Sequence, residues 1–236
     1  MLDLQPKHFK IILWDMDGTI LDFYPAERNA ICSTMEHFGL GECTEEMIKR
    51  YSKINEIHWK RMELGEITKQ QVLENRFAVF FEGEGIGFTK YKEFNELYQQ
   101  NLGAKVFFHE QAYEIVANLK GKVLQYAITN GTSTAQALKL KNSGLDKLFD
   151  GVFISDQIGY EKPSKLFFDY VEAQIPKVPK DEILVVGDSL TSDMRGGNNM
   201  GVRCCWFNYD NKPLPENDTV KLDYVIHKLI ELEKIL

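Results

Sequence analysis

The sequence predicts an α/β fold: a parallel sheet covered on both faces by helices, with an all-helical insertion after the first strand. Three observations carry this. From about residue 106 onward, short apolar runs alternate with helical stretches, the pattern of strands joined by helical crossovers. One apolar run, Phe9 to Trp14, stands ahead of that series. Residues 23–105, between them, read as helical and contain no convincing strand.

Phe9 to Trp14 is a continuous apolar run that stops at Asp15. A run this short, ended by Asp-x-Asp-Gly, reads as a buried strand entering a loop. Helices are then expected over Pro25 to Phe38, Thr44 to Leu64, Thr68 to Phe81 and Thr89 to Leu102, separated by the glycine-bearing stretches at 39–41, 65 and 83–87. The alternation follows. Helices are expected over Glu110 to Leu119, Thr134 to Asn142, Ser164 to Gln174 and Ser192 to Met200. Strands are expected over Val123 to Thr129, Val152 to Ser155, Ile183 to Gly187 and Val202 to Phe207, with a short one at Asp223 to Ile226 before a terminal helix.

The bulk properties exclude several classes. The chain has 236 residues, 44% hydrophobic and 27% charged, so it can bury a core without staples. A net charge of −7 and a pI near 5.4 argue against a nucleic-acid partner, which calls for a basic stripe. A small anionic substrate stays compatible, because one site can be positive on an acidic protein. Cys32, Cys43, Cys204 and Cys205 fit no zinc spacing and read as buried free thiols of a reducing compartment. Lys7 and Lys10 precede too short an apolar run for a signal peptide or a membrane span. The expectation is a cytoplasmic protein, with no membrane partner, acting as a monomer or homodimer.

In open parallel sheets, ligands bind beyond the carboxyl ends of the strands. Four polar clusters fall there or close by: Asp15-Met-Asp17-Gly-Thr19, Thr129-Asn130-Gly131, Gly159-Tyr-Glu-Lys162-Pro163 and Gly187-Asp188-Ser-Leu-Thr-Ser-Asp193. Taken singly, each has a plain structural reading as a turn, a cap or a helix start. An EF-hand is excluded for the first, because loop position five is Thr19, position twelve is Ala26, and a buried strand precedes it. Four in order, each at a strand end or before the next helix, point to one site. Converging Asp15, Asp17, Asp188 and Asp193 would repel one another, and a hard cation such as Mg²⁺ relieves that. Asp15 then suits a nucleophile and Asp17 a general acid/base. Thr129 offers a hydroxyl, the Asn130-Gly131 loop offers backbone N–H groups, and Lys162 a compact positive charge, all for phosphoryl oxygens. Pro163 is placed in the first turn of the next helix.

These residues resemble the four motifs of the haloacid dehalogenase-like hydrolases: DMDGTILD (Asp15 to Asp22), the Thr129 of AITNG, the Lys162 of GYEKP, and GDSLTSD with Asp188 and Asp193. The match spans nearly the whole chain. It implies a Rossmann-like parallel-sheet core made of residues 1–22 and 106–236, and a helical cap of residues 23–105. It also implies Mg²⁺ held by the Asp15 side chain, the Asp17 carbonyl and Asp188, with Asp193 at or just behind the metal. Dehalogenases of this superfamily lack the carboxylate at Asp17, so the chain resembles the phosphatase and phosphomutase members. The stretches ITNGTSTAQALKLKNSGLDKLFDGVFISDQIGYEKPSKLFFDY, GDSLTSDMRGGNNMGVRCCWFN and NEIHWKRMELGEIT followed by RF are similar to the house-cleaning pyrimidine 5′-nucleotidase branch. Those enzymes take phosphate from UMP, dUMP and dTMP.

The expected function is therefore Mg²⁺-dependent hydrolysis of a small phosphate ester through an aspartyl phosphate, with a pyrimidine nucleoside monophosphate as substrate. The alternatives are another ester, such as a sugar phosphate or phosphoglycolate, or a phosphomutase of the same fold. Within the insertion, Trp59 and Arg76 are candidate substrate contacts, with Asn55, Phe77, Phe80 and Phe81 beside them. Aromatic residues at helical spacing also simply pack a bundle. His37 and His58 read as surface or cap residues without metal-ligand company.

Overall fold

The computed structural model describes residues 9–215 and 219–236; Lys7 lies outside them. In chain order the elements are β1 (Ile11–Trp14), α1 (Phe23–His37), α2 (Glu45–Glu63), α3 (Lys69–Gly83), α4 (Tyr91–Ala104), α5 (Ala112–Leu119), β2 (Leu124–Thr129) and α6 (Ser133–Ser143). They continue with β3 (Gly151–Ile154), α7 (Ser155–Ile158), α8 (Lys165–Gln174), β4 (Ile183–Gly187), α9 (Arg195–Met200), β5 (Arg203–Phe207) and β6 (Tyr224–Ile226). The chain forms two compact units: a sheet unit of Met1–Asp22, Phe108–Gly131 and Gly144–Leu236, and a helical unit of Phe23–Phe107 and Thr132–Ser143.

The sheet unit is a Rossmann-like α/β layer. Its six strands are all parallel, in the order β3-β2-β1-β4-β5-β6. The unbroken apolar run of β1 suits its central place, and all of its side chains are fully buried. Each such residue contributes roughly 1.5–3 kcal/mol of burial. The register aligns the carboxyl ends: Trp14 pairs with Ala127 and Val186, and Gly187 with Trp206. The loops leaving these strands are thereby delivered to one edge. Trp14, whose indole needs a buried acceptor, donates from Nε1 to Oε1 of Gln125 at 3.1 Å.

The helical unit packs α1, α2, α3, α4 and α6 around an aromatic core. The rings of Tyr51 and Phe77 stack at 5.6 Å, and Phe94 meets Phe77 edge-on at 4.9 Å. Phe77, Phe80 and Phe81 are buried here, so these aromatics pack the bundle. Thr44 caps α2 by accepting from the Met47 N–H, and Thr68 with Gln71 forms a capping box on α3. The helix α6 lies late in the chain but belongs to this unit: Thr132 Oγ1 donates to Gln99 Oε1 (2.8 Å) and Asn142 Nδ2 to the Gly103 carbonyl (2.9 Å).

Several local expectations need correction. Cys32 and Cys43 are not free thiols; they form a disulfide with their Cα atoms 5.2 Å apart, while Cys204 and Cys205 are free and buried. The chain end is a 3-10 turn at Leu229–Lys234, not an α-helix. Pro163 stands before the N-cap Ser164 and not in the first turn of α8. Of the two readings for His58, surface or cap, the second holds: it is buried in the helical unit, with Nδ1 2.7 Å from the Ile54 carbonyl. The helix expected from Ser192 begins as a π turn at Leu190–Met194 before α9. Among the described residues, no helix is long and apolar enough to cross a membrane.

Candidate active site

All four polar clusters come together within the sheet unit. Asp15 continues β1, where its N–H donates to the Val186 carbonyl at 2.9 Å. Its carboxylate is nearly enclosed. Oδ1 accepts from Lys162 Nζ at 2.7 Å and Oδ2 from the Thr19 hydroxyl at 3.1 Å. Lys162 is 1% exposed and spends all three donors: on Asp15, on Asp193 Oδ1 at 2.7 Å, and on the Ile128 carbonyl at 2.9 Å. Burial by itself would push the Lys162 ammonium down, but the two carboxylates outweigh it and hold it above the usual lysine range. For Asp15, burial dominates and pushes the carboxyl up to about 7 against the pull of Lys162, with Asp193 and Asp17 adding to the rise.

Asp188 follows Gly187 at the end of β4, and its Oδ1 lies 3.4 Å from the Thr19 hydroxyl. Asp193 sits on the π turn, where its Oδ2 accepts from the Ser189 N–H at 3.1 Å. Asp15, Asp188 and Asp193 each turn one carboxylate oxygen into a cluster within 4.8 Å of one another. The side chain of Asp17 is not part of this cluster. Two glycines make the approach possible. A Cβ on Gly187 would collide with the Asp193 carboxylate. At Gly18, φ is +95° and a Cβ would stand 2.7 Å from Asp188 Oδ2. An all-oxygen donor set around an incompletely neutralised group of acids fits a hard divalent cation.

The expected phosphate contacts divide. Thr129, at the end of β2, accepts from the Gly131 N–H at 3.1 Å, so its hydroxyl proton stays available as a donor. Asn130 is engaged otherwise: its side chain closes a reciprocal pair with the Lys162 backbone, donating to the carbonyl at 2.9 Å and accepting from the N–H at 2.7 Å. Asn130 thus sets where Lys162 starts. Thr19 escaped the reading of the sequence as a site residue. Its signal was a hydroxyl four residues beyond Asp15, one helical turn away, in a loop that winds tightly enough to send the N–H groups of Ile20 and Leu21 to the Met16 carbonyl.

In the helical unit, Trp59 is half-buried on α2. Arg76 is 1% exposed and already committed, donating from Nη1 to Asn55 Oδ1 (2.7 Å) and from Nη2 to Asn95 Oδ1 (3.0 Å). Asn55 in turn donates to Glu27 Oε1 at 2.7 Å, and Ser52 also donates to Glu27. Burial raises the Glu27 carboxyl despite these two donors. Arg76, Asn55 and Glu27 form an interior polar network of the bundle. Glu27 also escaped the sequence reading, although an acid beside Ala26, Ala30 and Ile31 on one helical face was the available sign.

A family model described as haloacid dehalogenase-like hydrolase matches residues 12–207. The chain is 35% identical to the HAD-hydrolase YfnB of Bacillus subtilis, over 98% of this chain and 96% of that protein. The crystal structure of YfnB bound to magnesium matches with a TM-score of 0.91 at 33% identity, covering 98% of this chain and 99% of that one. Identity to the pyrimidine 5′-nucleotidase PynA of Streptococcus pneumoniae is 34%, over 85% of this chain and 84% of PynA. The pyrimidine 5′-nucleotidase YjjG of Escherichia coli is 30% identical, over 82% of this chain and 84% of its own length.

Proposed function

The chain belongs to the haloacid dehalogenase-like hydrolase family, and we propose that it is a Mg²⁺-dependent phosphohydrolase acting through Asp15 on pyrimidine nucleoside 5′-monophosphates. The observation that carries the chemistry is the convergence of Asp15, Asp188 and Asp193 with the fully engaged Lys162 at one sheet edge. Asp15 and Asp188, with the Asp17 carbonyl, would hold the cation, and Asp193 would stand behind it. When bound, it would supply positive charge to the acids and to the phosphoryl oxygens.

The residues then divide the work. An Asp15 oxygen attacks phosphorus, forming an aspartyl phosphate as the ester P–O bond breaks. Asp17 gives its proton to the departing alkoxide oxygen and later takes one from the water that hydrolyses the aspartyl phosphate, which restores the Asp15 carboxylate and the protonated Asp17. Lys162 keeps Asp15 in place while its charge opposes that of the phosphoryl group. The Thr129 hydroxyl and the Asn130 backbone N–H serve as donors to phosphoryl oxygens, while the Gly131 N–H holds the Thr129 hydroxyl in place.

The substrate class is supported by the activities named for PynA and YjjG. Groups that hold only phosphate and metal cannot tell one ester from another, so the choice is assigned to the helical unit, with Trp59 as the stacking candidate. Arg76 is assigned an indirect part, through Asn55 and Asn95. The test is phosphate release with Mg²⁺ from UMP, dTMP, AMP and phosphoglycolate on one preparation. The expected order of kcat/KM places UMP and dTMP first, and Asp15→Asn abolishes turnover of all four. A preference for AMP or phosphoglycolate removes the pyrimidine assignment; turnover by Asp15→Asn removes the nucleophile.

A further inference from the structure

Two buried tryptophans of the sheet unit spend their indole donors differently. Trp14 donates within the core, to the Gln125 side chain. Trp206, 2% exposed on β5, donates from Nε1 to the backbone carbonyl of Asp188 at 2.9 Å. Asp188 is one of the three acids of the candidate cation site. The phosphohydrolase chemistry makes no use of Trp206 itself.

The strands explain why a side chain is used at this point. β4 ends at Gly187, level with Trp206 on β5, so Asp188 is the first residue beyond the strand. A carbonyl past a strand end has to find its donor outside the ladder, and here the donor is an indole. That indole is firmly based. Trp206 lies level with Gly187 on one side and with Val225 of β6 on the other. Its side chain belongs to the core cluster that also holds Val185, Met194 and Cys204. A flat ring with two side-chain torsions, packed in a core, gives its N–H one direction. Because β4 runs between β1 and β5, Asp188 is held from both neighbouring strands. Its carboxylate meets the loop after β1, with Oδ1 3.4 Å from the Thr19 hydroxyl and Oδ2 against Gly18. Its main chain is held from β5 by Trp206 alone among side chains that donate to the Asp188 carbonyl. Mg²⁺ demands near-ideal octahedral geometry, so a ligand whose backbone can shift is a weaker ligand.

We propose that Trp206 is a positioning residue for the cation ligand Asp188, holding its main chain through the Nε1–H bond to the Asp188 carbonyl. The proposal rests on the Mg²⁺-dependent reading of the site. It predicts a loss of metal affinity, with the chemistry kept once the metal is bound. The test compares wild type with Trp206→Phe and with a protein carrying benzothienylalanine at position 206 alone. In that isostere sulfur replaces the indole N–H and both rings stay. Mg²⁺ binding is measured by calorimetry, and the half-saturating Mg²⁺ concentration by phosphate release from p-nitrophenyl phosphate. Both altered proteins should bind Mg²⁺ roughly tenfold more weakly, the upper end for one neutral hydrogen bond and the lower end for a group supporting a metal ligand. The half-saturating concentration should rise by the same factor. At saturating Mg²⁺, kcat should stay within about twofold and the KM for the ester should hold, since only the metal ligand has loosened. Should Trp206→Phe fail to fold, the isostere, which keeps the packing, carries the comparison. An unchanged Mg²⁺ affinity in the isostere overturns the proposal, even with a lowered Tm, because packing alone then accounts for Trp206. A fall in kcat at saturating Mg²⁺ with affinity retained overturns it too. Wild type that binds Mg²⁺ no better than Asp188→Asn overturns the cation reading and the proposal with it. Asp188-dependent binding that is equally tight in the isostere overturns the positioning role alone.

Discussion

Lys162→Met removes one ammonium while keeping a stem of similar length, and the structure says what that exposes. One cation at 1% exposure balances Asp15 and Asp193, at 2.7 Å from each. Deleting one partner of a buried pair typically costs about 3–5 kcal/mol, because the other charge is left uncompensated. Here two charges are left. Asp15 escapes part of the cost by taking a proton: burial already raises it to about 7 with Lys162 present, and without that attraction it rises further. Asp193, 1% exposed, carries the remainder. The expected loss in chelator at neutral pH is therefore about 3–5 kcal/mol, a fall in Tm on the order of 10 °C for a chain of this size. The pH dependence has a definite sign. An acid whose folded pKa is raised stabilises below its unfolded value, and that contribution is lost as pH rises through the folded one. In chelator, Asp15 should thus erode wild-type stability between roughly pH 4 and about 7, and in Lys162→Met the erosion should continue to higher pH. Mg²⁺ should flatten both curves, since a cation favours the ionised form. Thermal unfolding of both proteins, in chelator and in Mg²⁺ across that range, is the assay. A Lys162→Met protein as stable in chelator as wild type would refute the assignment of Lys162 as the compensating charge.

Other outcomes are equally specific. Asp17→Asn should lose about 10²–10⁴ in kcat on a nucleotide and much less on p-nitrophenyl phosphate; equal losses would show that Asp17 is not mainly an acid. Gly187→Ala should drive its methyl into Asp193, so both Tm and Mg²⁺ affinity by calorimetry should fall; an unchanged affinity would mean that Asp193 has no part in the cation site. Arg76→Met should destabilise by at least about 3 kcal/mol, as two hydrogen bonds from a charged donor are lost at roughly 1.5–3 kcal/mol each. An unchanged Tm with an altered UMP to AMP preference would instead make Arg76 a direct reader of substrate. Chelator should abolish turnover and Mg²⁺ restore it, with Ca²⁺ failing to substitute because its coordination is looser.

The sheet and the helical stretches were legible because apolar periodicity reports burial directly. The uninterrupted run Ile11 to Trp14 has no polar residue to turn outward, so a central strand was its natural place. Asp15, Lys162, Asp188 and Asp193 were legible because chemistry-bearing residues followed strands in a fixed order. Other features required coordinates. The buried face of α6, Ala135, Gln136, Lys139 and Leu140, mixes apolar and polar residues and does not announce its partner. Cys32 and Cys43 are far enough from any zinc pattern to look unrelated, and only the turn between α1 and α2 brings them together. Asn130 sat in a loop expected to face phosphate, and its use on the Lys162 backbone depends on a pairing 32 positions away in the chain. Arg76 illustrates the same limit. A lone arginine among aromatics reads as a ligand contact, and only its two asparagine acceptors show that it is consumed inside the bundle.

The membership of α6 in the helical unit bears on how this protein can be recombined with its relatives. The bundle is discontinuous in sequence, so an exchangeable module has four junctions: Asp22/Phe23, Phe107/Phe108, Gly131/Thr132 and Ser143/Gly144. A chimera spliced only at the first two would join a foreign bundle to a native α6 whose buried Ala135, Gln136, Lys139 and Leu140 were shaped for other neighbours. A deletion of Phe23–Phe107 would remove the hydrogen-bond partners of Thr132 and Asn142, Gln99 and the Gly103 carbonyl. Libraries that shuffle specificity among such enzymes should therefore move Thr132–Ser143 together with the insertion, so that Thr132 keeps its hydrogen bond to Gln99.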